Sequence, residues 1–296
     1  MIRTMLHTHK VPAPGAMSVL PRHPLGRTGE LVTRFGLGGE GILRTHGRMA
    51  EAVRVIRRAL DHGVNYFDTA PAYESSMDYY GEALGERRSS VFLACKTHDR
   101  TRDGSLRLLD QSLQRLKTDY LDLWQLHDLR TLDHVERIFA KGGAMEAMIQ
   151  ARAEGRVRYL GITGHYEPKV LLEALSRFDF DTILVALNAA DVHRRSFIQT
   201  VLPQAVRHET GVIGMKVAAA GTLIGRGKLT MEEAVDYTLS LPGVSLIIVG
   251  CKSPAEVDQN VDIVRRFRPL SETQMHELEE RTRRKAEVYT SYKKAR

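Results

Sequence analysis

Long hydrophobic runs are missing from this chain of 296 residues. No apolar stretch approaches the roughly 20 residues that cross a bilayer. The opening MIRTMLHTHKVPAPGAMSVL has no apolar block of signal-peptide length, so a cytoplasmic protein is expected, with residues 1–20 as a loose leader and Met17 as an alternative start. Cysteine is scarce. Cys95 and Cys251 lie far apart and in no CxxC pair, which argues against a disulfide framework and a zinc knuckle. Aromatics make up 6% of residues and never interleave with a basic patch. The net charge of +7 therefore gives no reason to expect nucleic acid, and much of the surplus sits in the terminal RTRRKAEVYTSYKKAR. A mild positive excess equally suits a small ligand carrying phosphate. No Pro-, Gly- or Ser-rich linker divides the chain, so residues 21–296 are expected to form one domain.

What is present alternates. MAEAVRVIRRALDHG has apolar residues at helical spacing and ends at Gly63, a natural C-terminal cap. VNYFD follows as a short strand. The same alternation continues through VFLACK, YLDLWQLH, VRYLGIT, TILVALN, GVIGMKV and VSLIIVG, each followed by a helical pattern, including one long helix near 133–154. With TRFGLG as the first strand there are eight strand–helix units. Continuous rather than alternating apolar strands indicate a parallel sheet buried on both faces. Eight units in a chain of this size predict an α/β fold, a single (β/α)8 TIM barrel. A doubly wound sheet is the alternative, but the first turn lacks G-x-G-x-x-G; GLGGEG at 36–41 is glycine-rich, yet no helix opens from it. SETQ, a capping box of Ser271 with Gln274, starts an appended C-terminal helix.

In such a barrel the C-terminal strand ends build the active site. Read in order they give Asp68, Lys96, His127, Thr163 to His165, Asn188, Lys216 and Gly250. A lone polar residue after a strand is usually a cap, but several titratable groups converging on one mouth need another explanation. Tyr73, carried away from its strand by the TAPA turn, can reach back over the mouth. A phenol is a poor acid at neutral pH unless a cation favours the phenolate. Lys96 offers that cation, and Asp68 a counter-ion for it. His127 offers a hydrogen bond to a substrate oxygen. Together they suit protonation of a carbonyl oxygen as it becomes an alkoxide.

NYFDTAPAY, LACKT and LDLWQLHD resemble the aldo-keto reductases, as do HPLGRTGELVTRFGLGG and EGRVRYLGIT, across about residues 22–265. The resemblance implies Tyr73 as general acid, Lys96 and Asp68 tuning it, and His127 orienting a carbonyl. It also implies reduction of an aldehyde or ketone to an alcohol by hydride from a nicotinamide, with NADPH as the cofactor and NADH the other possibility. Implied cofactor positions are Gly39, Gly164, His165, Asn188, Met215, Lys216, Gly250, Lys252, Ser253, Glu256, Gln259 and Asn260. Several depart from the family pattern. Gly164 and His165 replace a Ser-Asn pair, Met215 replaces a stacking Tyr or simply fills the core, and Glu256 stands where an Arg often meets a 2′-phosphate.

Two other readings use the same residues. One is a metal-dependent hydrolase built on Lys96, His127 and His165; with no H-x-H at the first strand, no metal site is expected. The other is a non-catalytic sensor that binds nicotinamide. Substrate choice is expected to rest on residues 44–49, 128–142, 217–229 and 285–296. Together with His193 they supply Arg44, His46, Arg130 and Arg226, which suit an anionic or sugar-like carbonyl. Trp124, three residues before His127, is expected to report optically on the site.

Overall fold

A computed structural model describes residues 19–294 of the chain. The expected leader lies outside the described residues apart from Val19 and Leu20, and Leu20 is buried in the core. A short antiparallel hairpin, β1 (Arg22–Pro24) with β2 (Leu31–Thr33), comes first. The barrel then closes in the order β10-β3-β4-β5-β6-β7-β8-β9, all parallel. Its strands are β3 (Phe35–Gly41), β4 (Tyr66–Asp68), β5 (Phe92–Thr97), β6 (Leu121–Leu126), β7 (Val157–Gly164), β8 (Thr182–Ala186), β9 (Gly211–Met215) and β10 (Val244–Cys251).

The helices pack outside: α1 (Met49–Asp61), α2 (Ser76–Leu84), α3 (Arg102–Leu116), α4 (Leu132–Phe139), α5 (Ala144–Ala153), α6 (Pro168–Arg177), α7 (Phe197–Arg207), α8 (Met231–Ser240) and α9 (Pro254–Arg266). α1 turns Ala52, Val53, Val55, Ile56 and Ala59 onto the sheet. Gly63 follows it at φ +79°, the left-handed geometry that ends a helix most readily in glycine. α10 (Glu272–Arg283) opens with the expected capping box, Ser271 and Gln274 each bonding the other's backbone N–H. α11 (Ala286–Tyr289) carries the chain back over the barrel.

The single helix expected over 133–154 is two. Gly142 (φ +75°) and Gly143 break it, and Gly143 bridges to Thr101. A Cβ on Gly143 would stand 2.3 Å from the Ile138 carbonyl, so only glycine passes there.

Period-two alternation sorts each strand. Tyr66, Phe92, Leu123, Leu184, Ile213 and Leu246 fill the barrel interior, and Leu25 and Val32 of the hairpin plug it from below. Phe67, Cys95, Trp124, Ile183 and Val185 face the helices. Trp124 is therefore in the helix-side core, on the strand that leads to His127. Among the described residues no helix is long and apolar enough to cross a membrane.

Candidate active site

The inward positions that plug the bottom of the barrel become polar at its top. Asp68 ends β4 in register with Gly38 and Ala94, and Lys96 near the end of β5 pairs with Gln125. Lys96 Nζ lies 2.5 Å from Asp68 Oδ1 and 2.7 Å from the Thr69 carbonyl, and both ionic side chains are 1% exposed. Gln125 Nε2 approaches the other Asp68 oxygen at 3.4 Å. Lys96 Nζ is 5.0 Å from the centroid of the Tyr73 ring, which meets the His127 imidazole edge-on at 5.7 Å. The four residues singled out in the sequence thus form one cluster across β4, β5 and β6.

Burial and charge compete at each group. Burial opposes the Lys96 ammonium, but Asp68 and Tyr73 outweigh it, so Lys96 titrates above the ordinary lysine value. Burial also raises Asp68, against the pull of Lys96 and Gln125. Burial pushes the Tyr73 phenol up to about 12, although Lys96 acts to lower it. The cation therefore works in the expected direction without winning, and the phenol stays protonated. His127 is held well below the ordinary imidazole range, first by burial and then by Lys96, His98, His165 and Arg100. At neutral pH it is an uncharged donor and acceptor.

Beside this cluster opens a cavity of about 590 Å³ between the ends of β3, β9 and β10 and the loop 216–224. Gly39, Asp68, Tyr73, Met215, Lys216, Gly250, Lys252, Glu256, Gln259 and Asn260 all line it. Gly39 must be glycine, since a Cβ would stand 2.8 Å from the Tyr73 ring and 2.9 Å from the Asp68 carbonyl. Gly250 is equally restricted, its Cβ falling 2.7 Å from Glu40. The side chains of Lys216 and Lys252 have no hydrogen-bond or ion-pair partner among the described residues, whereas Arg44, Arg58, Arg88 and Arg115 each meet a carboxylate. Two unpaired ammonium groups on one cavity wall, with glycines where backbone must come close, fit an elongated polyanion such as a dinucleotide.

Ser253, Gly164, His165 and Asn188 stand away from the cavity wall. Ser253 caps α9, its hydroxyl accepting from the Glu256 N–H. Glu256 reaches back and accepts from the Lys252 backbone N–H at 2.7 Å, placing a carboxylate where a helix N-terminus attracts anions. Gly164 packs against Leu129 and Leu171. His165 lies with its ring 6.2 Å from Tyr292 and its Nδ1 3.7 Å from Asp128. Asn188 is fully buried, and its amide bonds the Lys216 carbonyl, Tyr292 Oη and the Ala190 N–H. The β8 residue that does line the cavity is Leu184, joined by Glu40 and Ile248. Sequence reading missed these three. Inward alternation on β8 and β10 was the available signal for Leu184 and Ile248.

Around the mouth, Arg44 stands 5.2 Å from the Tyr73 ring, held by Glu40 and Glu74. Arg130 pairs with Asp128, and His193 bonds the Glu279 carbonyl. Arg226 is exposed. Among the described residues no three His, Cys, Asp or Glu side chains gather closely enough to hold a metal ion.

Comparison with known proteins identifies the family and the fold. Residues 34–233 match the model of the aldo/keto reductase family. An uncharacterised oxidoreductase of Bacillus subtilis, YqkF, is 24% identical over 303 residues, spanning 86% of this chain and 94% of its own. L-galactose dehydrogenase of Arabidopsis thaliana is 26% identical over 301 residues, spanning 86% and 91%. The holo form of aldo-keto reductase AKR11C1 from Bacillus halodurans shares the fold, with a TM-score of 0.76 at 24% identity over 88% of this chain and 96% of that one.

Proposed function

This chain belongs to the aldo/keto reductase family and is an NAD(P)H-dependent oxidoreductase, and on that premise we propose that it reduces an aldehyde or ketone to an alcohol with Tyr73 as the proton donor. The observation that carries this reading is the clustering of Asp68, Tyr73, Lys96 and His127 beside a cavity whose wall includes Asp68, Tyr73 and two unpaired lysines.

When bound, the nicotinamide cofactor supplies the hydride. Tyr73, protonated because burial holds its phenol up, donates its proton to the carbonyl oxygen as negative charge develops there. Lys96 then faces the phenolate left behind, in a water-poor site where one cation counts for far more than in solvent. Asp68 keeps Lys96 charged and aimed. Neutral His127 orients the carbonyl by a hydrogen bond. Lys216 and Lys252 would hold the phosphates, Met215 would pack on the nicotinamide ring, and Gln259 and Asn260 would meet the adenine.

NADPH is the proposed reductant, with Lys252 as the cation available to a 2′-phosphate. Glu256 favours the second reading, NADH, because a carboxylate accepts from ribose hydroxyls and repels a phosphate dianion.

For the substrate we favour a small hydroxylated carbonyl compound. Arg44 and Arg130 are already neutralised by Glu40, Glu74 and Asp128, so the mouth presents hydrogen-bonding groups rather than net positive charge. The name of the Arabidopsis relative points the same way. The test is calorimetric titration with NADPH and NADH, then a panel of aldehydes and ketones that includes aldoses and 4-nitrobenzaldehyde. Binding of either cofactor with turnover of at least one carbonyl supports the reading, and binding of neither overturns it.

A further inference from the structure

The C-terminal segment is fastened to the loop that follows β8. Lys293 is fully buried and donates to the Asp191 carboxylate and to the carbonyls of Arg194, at 2.7 Å, and Arg195, at 2.9 Å. Asp191 also accepts from Ser196 Oγ and the Ile198 N–H, both at 2.9 Å. A buried ammonium is tolerable only when its three donors are satisfied, and here they are. One residue earlier, Tyr292 Oη accepts from Asn188 Nδ2 at 2.9 Å.

The second Asn188 Nδ2 proton goes to the Lys216 carbonyl at 3.0 Å, which the Ala219 N–H also meets at 2.7 Å. That carbonyl begins a strained turn. Lys216, Ala219 and Ala220 have φ of +56°, +49° and +56°, left-handed values that side chains disfavour. Such geometry persists only where surrounding contacts over-determine it. The same turn places Lys216, Val217, Ala218 and Ala220 on the cavity wall, whereas Asn188 and Tyr292 are not part of that wall.

We propose that Asn188 is a positioning residue that ties the C-terminal segment, through Tyr292, to the strained turn at Lys216, so that the tail sets the affinity of the cavity for its dinucleotide. This rests on the cofactor reading above. Asn188 acts through the Lys216 turn rather than by touching the ligand.

The experiment is calorimetric titration with NADPH and with NADH, well below the melting temperature, on the full chain and on Tyr292→Phe, Lys293→Met, Asn188→Ala and the double variant Asn188→Ala/Tyr292→Phe. Tyr292→Phe is expected to weaken binding about three- to tenfold, the worth of one hydrogen bond. Lys293→Met is expected to do the same from further away. The double variant should bind no more weakly than Asn188→Ala, because the two residues form one linkage. A purely structural tail would lower the melting temperature and leave the dissociation constants unchanged. If Lys293→Met fails to fold, Tyr292→Phe decides alone. Wild-type affinity in Tyr292→Phe beside a loss in Asn188→Ala would overturn the proposal and make Asn188 a direct contact. A wild-type chain that binds neither cofactor would instead remove the cofactor reading itself.

Discussion

Lys96 Nζ and Asp68 Oδ1 lie 2.5 Å apart in a place where each is 1% exposed, and the same ammonium sits 5.0 Å from the Tyr73 ring. The pair thus has two separable consequences, one for stability and one for reactivity. Removing one member of a buried pair strands the other charge at about 3–5 kcal/mol, whereas replacing both by apolar groups is often neutral. Lys96→Met should therefore lower both the melting temperature and turnover. Adding Asp68→Leu should restore much of the stability and none of the turnover. Recovery of turnover in the double variant, read by NADPH oxidation, would show that Lys96 serves the fold alone.

The pH profile follows from burial. His127 is held well below the ordinary imidazole range and Tyr73 is raised to about 12, so neither changes protonation between pH 6 and 8. For a His with a lowered pKa, the charged form appears only at more acid pH. Reductive kcat/KM should stay level, within about twofold, across that window. A fall with a midpoint near 6.5 that disappears in His127→Gln would mean that His127 titrates as a solvent-exposed imidazole does.

Cofactor preference should turn on residues 252 and 256. Glu256→Gln removes the carboxylate that bonds the Lys252 N–H and should shift binding toward NADPH by about five- to tenfold, the scale of one screened charge contact. Lys252→Ala should shift it toward NADH. The ratio of calorimetric dissociation constants checks both, and a ratio unmoved by either change would place the 2′ position elsewhere.

A stability effect is expected away from the site. Burial, helped by Glu232, raises Asp236 from 3.8 to about 6, and its Oδ1 has no hydrogen-bond partner. A carboxyl raised on folding binds more protons folded than unfolded between those values, so its contribution to stability falls as pH rises through the window. Asp236→Asn should raise the melting temperature at pH 7.5 by a small amount, on the order of one to three degrees since the group is partly exposed. The gain should shrink as the pH approaches 4. A gain independent of pH would mean that packing, not charge, is responsible.

Local order explains which parts of this layout the sequence made legible. Asp68, Lys96 and His127 end apolar strands, so period-two alternation and strand length suffice to bring them to one rim. The appended helix announced itself through Ser271 and Gln274. The division of 133–154 was harder, because the apolar periodicity runs across it while Gly143 answers to Thr101, some 40 residues earlier. Asn188 lay furthest out of reach. Its partner Tyr292 is 104 positions away, and only the folded chain reveals that its amide is fully engaged. Tyr73 shows a different limit. The sequence identifies Lys96 as a cation that lowers the phenol's pKa, but not that burial of the ring outweighs it.

The most direct measurement is NADPH or NADH oxidation with 4-nitrobenzaldehyde by wild-type protein and Tyr73→Phe, with cofactor binding measured in parallel. Loss of a positioned general acid should reduce turnover by about 100-fold or more, while the dissociation constant for the cofactor stays within about twofold. Equal turnover in Tyr73→Phe would contradict Tyr73 as the proton donor.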